Sequence, residues 1–191
     1  MKSYAGIGAR KPPEKISHKC IAIGELLAEK GYILRSGGAD GCDTAFETGH
    51  GNHDKQIFLP WKNFNHNKSP LYLDKEIPQK LVDIARGIYP HWDYVKDPVK
   101  RMHARNVQQI LGEHANDPSD FVICYTERPY NVPSAIGGTM FGIVLADSTI
   151  VNKCDGDNCA QRKIPVFNLY LPDAEDLFIK YLIEALKVPT T

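Results

Sequence analysis

Residues 32–51 read Tyr32-Ile33-Leu34-Arg35-Ser36-Gly37-Gly38-Ala39-Asp40-Gly41-Cys42-Asp43-Thr44-Ala45-Phe46-Glu47-Thr48-Gly49-His50-Gly51. A short β-rich run, Tyr32–Arg35, gives way to a glycine-rich turn. A helix follows from Asp40 to Thr48 and is stopped by Gly49 and Gly51. This strand–glycine loop–helix unit is the building block of an α/β fold, and the rest of the chain repeats its logic. Upstream, Ser3–Ile7 reads as a strand running into Gly6-Ile7-Gly8-Ala9-Arg10. The segment Pro13–Lys30 follows, with Ile16, Cys20, Ile23, Leu26 and Leu27 at helical spacing and Gly31 as the stop. Downstream, Gln56–Leu59, Phe121–Tyr125 and Pro165–Leu169 read as strands. Helices are expected over Lys75–Arg86, over Pro98–Gly112, from about Gly138, and over Ala174–Lys187.

Right-handed crossovers between such strands predict a doubly wound, Rossmann-like parallel sheet with flanking helices. The 191 residues suit a single domain spanning 1–191. Residues 60–98, with Pro60, Pro70, Pro78, Pro90 and Pro98, read as an irregular insertion in one crossover because no independent core is visible there.

Composition narrows the function classes. A hydrophobic fraction of 42% and a charged fraction of 24% are those of a folded globular chain. No apolar run is long enough for a membrane helix, and Lys2, Arg10 and Lys11 are not followed by a signal-peptide core. A cytoplasmic protein without a membrane partner is therefore expected. With 23 basic against 23 acidic residues, the chain lacks the charge excess of a general nucleic-acid binder. Five cysteines without a secretory signal argue against a disulfide scaffold. Cys154 and Cys159 enclose four residues and have no second pair at matching spacing, so they read as a turn with two incidental thiols. His50 and His53 read as a polar loop. No metal and no cofactor is called for.

Ligands of doubly wound sheets bind at the carboxyl ends of the strands. Three glycine-rich loops fall there: Gly6–Arg10, Ser36–Thr44, and Ala135-Ile136-Gly137-Gly138-Thr139. Glycine lets the backbone approach a ligand, and a helix N-terminus presents free N–H groups, so the three loops form a phosphate cradle. Their spacing fits neither the dinucleotide fingerprint nor the Walker lysine motif.

The run Ser36–Glu47, the motif Met102-His103-Ala104-Arg105-Asn106 and the trio Gly137-Gly138-Thr139, in that order, resemble the SLOG superfamily. That group includes the Rossmann domain of DNA-processing protein A and the lonely-guy phosphoribohydrolases. More narrowly, the chain resembles small phage-encoded proteins of the DNA-processing-A type. The resemblance covers roughly Tyr4 to Leu169 and implies a nucleotide ligand lined by Gly37, Gly38, Gly41, Gly137, Gly138 and Thr139. Arg105 and Asn106 match the pair by which relatives contact phosphate or ribose. It further implies a homo-oligomer and, for a phage protein, residence in the host cytoplasm and a role in sequestering an immune signal. Gly8, Arg10, Ser36 and Tyr125 complete the candidate ligand-binding set. Arg10 offers a guanidinium fork for phosphate, and Tyr125 a ring for stacking. Glu127, Arg128 and Trp61 also stand at strand ends.

Asp43 and Glu47, four apart on one helix face, are candidates for accepting ribose hydroxyls and are the catalytic candidates if the protein is an enzyme. The phosphoribohydrolases carry a glutamate three residues after the loop threonine, and here that position is Gly142. The residues therefore leave three readings. The first is a binder of a nucleoside phosphate or an ADP-ribose-type signal. The second is an N-glycosidase, phosphoribohydrolase or deoxyribosyltransferase-like enzyme acting on nucleoside monophosphates. The third is a DNA-processing accessory protein.

Overall fold

The structure, a computed structural model, describes residues 2–89, 91–127, 137–155 and 158–187, with strand placement alone for 152–160. Seven strands and six α-helices are present among these residues: β1 (Ser3–Gly8), α1 (Glu14–Glu29), β2 (Ile33–Ser36), α2 (Cys42–His50), β3 (Lys55–Ile57), α3 (Gln79–Ile88), α4 (Asp97–Leu111), β4 (Phe121–Tyr125), α5 (Gly138–Ser148), β5 (Ile150–Asp155), β6 (Asn158–Lys163), β7 (Val166–Asn168) and α6 (Ala174–Lys187). Five strands form one parallel sheet in the order β3-β2-β1-β4-β7.

The alternation of side chains along the two central strands explains the layering. Tyr4, Phe121, Ile123 and Phe167 point to one face, where α1, α2 and α6 cover them with Leu27, Phe46, Phe178 and Leu182. Ala5, Ile7, Val122 and Cys124 point to the other, beneath Val107, Ile110, Phe141 and Ile143 of α4 and α5. Central strands buried on both faces read as continuous apolar runs, and Phe121–Tyr125 is fully buried throughout. Crossovers from β1 toward β3 use one face and those toward β7 use the other. The chain therefore reverses between β1 and β4, leaving a crevice outside their carboxyl ends.

Several elements depart from the sequence expectation. Helix α3 starts at Gln79 and not at Lys75, because Pro78 takes the N-cap position and holds extended geometry at φ −53°, ψ 131°. Cys154 and Cys159, read from sequence as the two ends of a turn, are register partners in an antiparallel hairpin of β5 and β6 that the sequence reading did not anticipate. The third strand is also shorter than expected, and Leu59 instead makes a single bridge to Tyr72. The insertion has no core of its own: Leu73, Leu81, Ala85 and Trp92 are buried in the same cluster as α4 and α5. No described helix is long and apolar enough to cross a membrane.

Candidate functional site

A cleft of about 500 Å³ opens at the switch between β1 and β4. Its described lining includes Gly8, Ala9 and Arg10 after β1, Ala39 and Asp43 from the second glycine loop, and Thr126 after β4. Gly137, Gly138 and Thr139 line it at the start of α5, as do His103, Arg105, Asn106 and Gln109 on α4. All three glycine-rich loops thus reach one crevice.

Asp43 fastens the first two loops together. Its carboxylate accepts long hydrogen bonds from the backbone N–H of Gly8 (3.3 Å) and of Ala39 (3.4 Å), and the Gly37 N–H also favours its charged form. Burial pushes its pKa up, opposed by Arg105 and these amides. Gly41, at φ +83°, makes the turn into α2 in a conformation that disfavours any side chain. A Cβ there would also run into the Ala9 carbonyl. At Gly37 the need is room: a Cβ would occupy the place of the Arg105 guanidinium.

Arg105 is the central charge. It is 5% exposed, and its Nη1 donates to Asn106 Oδ1 (2.8 Å) and Gln109 Oε1 (2.7 Å). Among the described residues its nearest carboxylate oxygen, Asp43 Oδ2, is 4.0 Å away, and its Nε has no hydrogen-bond partner. Burial lowers its pKa, opposed by Asp43. The Phe64 ring stands 6.0 Å from the guanidinium carbon, within cation–π range. Asn106 passes the network on, its Nδ2 lying 3.5 Å from the Gly138 carbonyl. Helix α5 begins after Gly137 without a side-chain cap hydrogen bond, and its N-terminus brings the partial positive charge of a helix start to the cleft.

The sequence candidates are thereby divided. Gly8, Arg10, Asp43, Arg105, Asn106, Gly137, Gly138 and Thr139 line the cleft. Gly37 and Gly41 act one layer behind, as described. Ser36 is turned inward, donating to the Gly6 carbonyl at 2.7 Å and tying β2 to β1. The Gly38 carbonyl accepts from Asn65 of the insertion at 3.1 Å. Tyr125 is buried in the opposite core, against Tyr170 and hydrogen-bonded to Glu127. Trp61 packs edge-on against Phe64 at 5.2 Å. Glu47 leaves the cleft altogether, accepting from Asn67 Nδ2 (3.0 Å) and facing Lys55 Nζ (3.5 Å). Arg128, Ala135 and Ile136 lie outside the described residues.

Sequence reasoning missed Tyr89, His103 and Gln109, which also line the cleft. For His103 the signal was present: Val99, Met102, His103 and Asn106 stand at i, i+3, i+4 and i+7 on one helix face. Tyr89 ends α3 inside the irregular insertion, where no periodicity announces its position. The His103 ring lies between Tyr89 (4.5 Å) and Phe141 (4.8 Å), and burial pushes its pKa down to about 4, with the Arg105 charge adding to the effect. Among the described residues, four buried side-chain polar atoms have no hydrogen-bond partner. Three of them, on His103, Arg105 and Gln109, belong to residues of this cleft. Buried polar groups are normally satisfied, so their gathering in residues of one cleft sets this region apart within the described structure.

No protein-family model matches the chain, and neither a curated protein nor a solved structure matches it.

Proposed function

We propose that the cleft binds a small phosphorylated ligand, a nucleoside phosphate or an ADP-ribose-type molecule, and holds it without turnover. The observation that carries this reading is Arg105. A buried guanidinium with a carboxylate no nearer than 4.0 Å and an unpartnered Nε is under-neutralised. It stands in a crevice also lined by exposed Arg10 and by the uncapped start of α5. An anion placed there gains a charge-assisted contact with Arg105 and the N–H groups of the helix end, each stronger for being shielded from water.

Among the described lining residues, the lack of a carboxylate free of loop amides favours binding over glycosidic cleavage. Asp43 is the one carboxylate among the described lining residues, and its oxygens already accept from the loop amides. Stabilising an oxocarbenium-like sugar calls for a carboxylate presented to the sugar, as in glycoside hydrolysis. Helix α6 supports a homo-oligomer: Ile179, Ile183 and Leu186 are half exposed at i, i+4 and i+7 spacing, a strip suited to cover by a second copy. Ile183→Glu is expected to lower the mass seen by light scattering to that of one chain.

The test is thermal shift of the purified protein with nucleoside monophosphates, NAD, ADP-ribose and cyclic nucleotides, followed by chromatography of the recovered ligand. Stabilisation with intact ligand is the expected result. Released base would overturn the non-catalytic reading, and no shift with any of the panel would overturn the nucleotide reading.

A further inference from the structure

We infer that the α3–α4 end of the cleft is a subsite for a flat, uncharged heteroaromatic ring, with Tyr89 as its stacking face and His103 as the group that reads its edge. The inference rests on the phosphorylated-ligand reading and adds to it the place and recognition of the base.

The lining changes character along α4. Arg105, Asn106 and Gln109 lie in its C-terminal half, whereas Val99 and Met102 come one to two turns before Arg105, next to His103. From Val99 to Asn106 the helix rises about 10 Å at 1.5 Å per residue, which sets two chemically distinct regions apart on one wall. Met140, one turn into α5, adds a second thioether to the apolar region. Thioethers and aromatic rings are favourable neighbours for a planar ring.

Two observations select a base over a plain apolar group. The His103 Nδ1 is buried without a partner, and leaving it so costs free energy that a ligand donor or acceptor would recover. The imidazole is neutral near pH 7, because its pKa lies near 4, and a neutral imidazole offers one donor and one acceptor and no charge. A second phosphate would therefore find no counter-charge at Tyr89, Val99, Met102 and Met140, whose one polar side-chain group is the Tyr89 hydroxyl. A ring with nitrogen or oxygen on its edge meets each of these features. The Tyr89 and His103 rings, 4.5 Å apart and inclined by 40°, hold each other in place for this contact.

The experiment is calorimetric titration of the intact protein with ribose 5-phosphate and with the four ribonucleoside 5′-monophosphates. At least one nucleotide is expected to bind tenfold or more tightly than ribose 5-phosphate. Tyr89→Leu and His103→Leu are each expected to collapse that ratio toward one, while Tyr89→Phe keeps it. A merely structural role for the two rings would move the melting temperature and leave the ratio intact, which would overturn the inference. Equal affinity for ribose 5-phosphate and every nucleotide would overturn it too, while leaving the phosphate site standing. Failure of all five ligands to bind would remove the underlying reading and this inference with it. Since His103 is buried and its replacement can disturb folding, half-buried Tyr89 supplies the independent variant.

Discussion

At the β1–β4 end of the cleft, the lining is built largely from glycine-loop backbone and a helix start, with one guanidinium held by Asn106 and Gln109. At the α3–α4 end it is built from side chains, with Tyr89, His103 and Phe141 packed ring against ring. The first end is polar and fixed by topology, because the carboxyl ends of parallel strands and the starts of the following helices must converge at the switch point. The second depends on an insertion that happens to bring Tyr89 over α4. One wall of a pocket can thus be a property of the fold while the facing wall belongs to the individual sequence.

The widest separation between the two ends should come from Arg105→Met. Affinity for ribose 5-phosphate is expected to fall about 100-fold, the loss of charged hydrogen bonds worth roughly 1.5–3 kcal/mol. Urea unfolding should show a further cost of about 3–5 kcal/mol, since Asp43 stays buried without its cation. Unchanged phosphate affinity in this variant would break the assignment of the anion to that end.

A change at the aromatic end should read out in pH. His103 takes up its proton near 6.5 when the chain is unfolded and near 4 when it is folded. Between those values the unfolded state binds more protons, so stability falls as pH is lowered from 6.5 to 4 and this contribution levels off below. The contribution is about 3 kcal/mol at 1.36 kcal/mol per unit. His103→Leu should flatten that part of the denaturation profile, and an identical profile in wild type and variant would show that the imidazole does not titrate in this way.

Gly37→Ala tests the anion end through geometry alone. The added methyl displaces the guanidinium, so phosphate affinity should drop about tenfold, the equivalent of one neutral hydrogen bond, with a smaller loss of melting temperature than in Arg105→Met. The smallest effect belongs to Glu47→Gln, whose partners Asn67 and Lys55 lie outside the cleft. Ligand affinity should change less than twofold and stability by less than about 0.5 kcal/mol. A large loss of binding in this variant would place Glu47 back at the ligand.

Asp43 and Glu47 show where the sequence stops being informative. A separation of four residues puts both on one side of α2, and that much follows from helical geometry. Yet Asp43, in the first turn, is held beneath the loops by the Gly8 and Ala39 amides, whereas Glu47, one turn on, meets Asn67 of the insertion. Only a tertiary contact separates them. Tyr125 carries the same lesson: it ends a strand at the crevice side, but alternation along β4 turns it with Phe121 and Ile123 into the core beneath α2 and α6.

By itself the sequence determined the α/β class, the five parallel strands and the three glycine-rich loops at their ends, because hydrophobic period and glycine placement are local properties that backbone sterics enforce. It also determined that Arg105 and Asn106 share a helix. The β5–β6 hairpin and the start of α3 escaped it, the one lacking apolar alternation, the other set by a single proline. Only the tertiary structure decided that Arg105 is buried with its nearest described carboxylate 4.0 Å away, and that Tyr89 packs against His103 at one end of the cleft. These are long-range packing outcomes. They depend on which segments meet in space, and no short window of residues encodes that meeting.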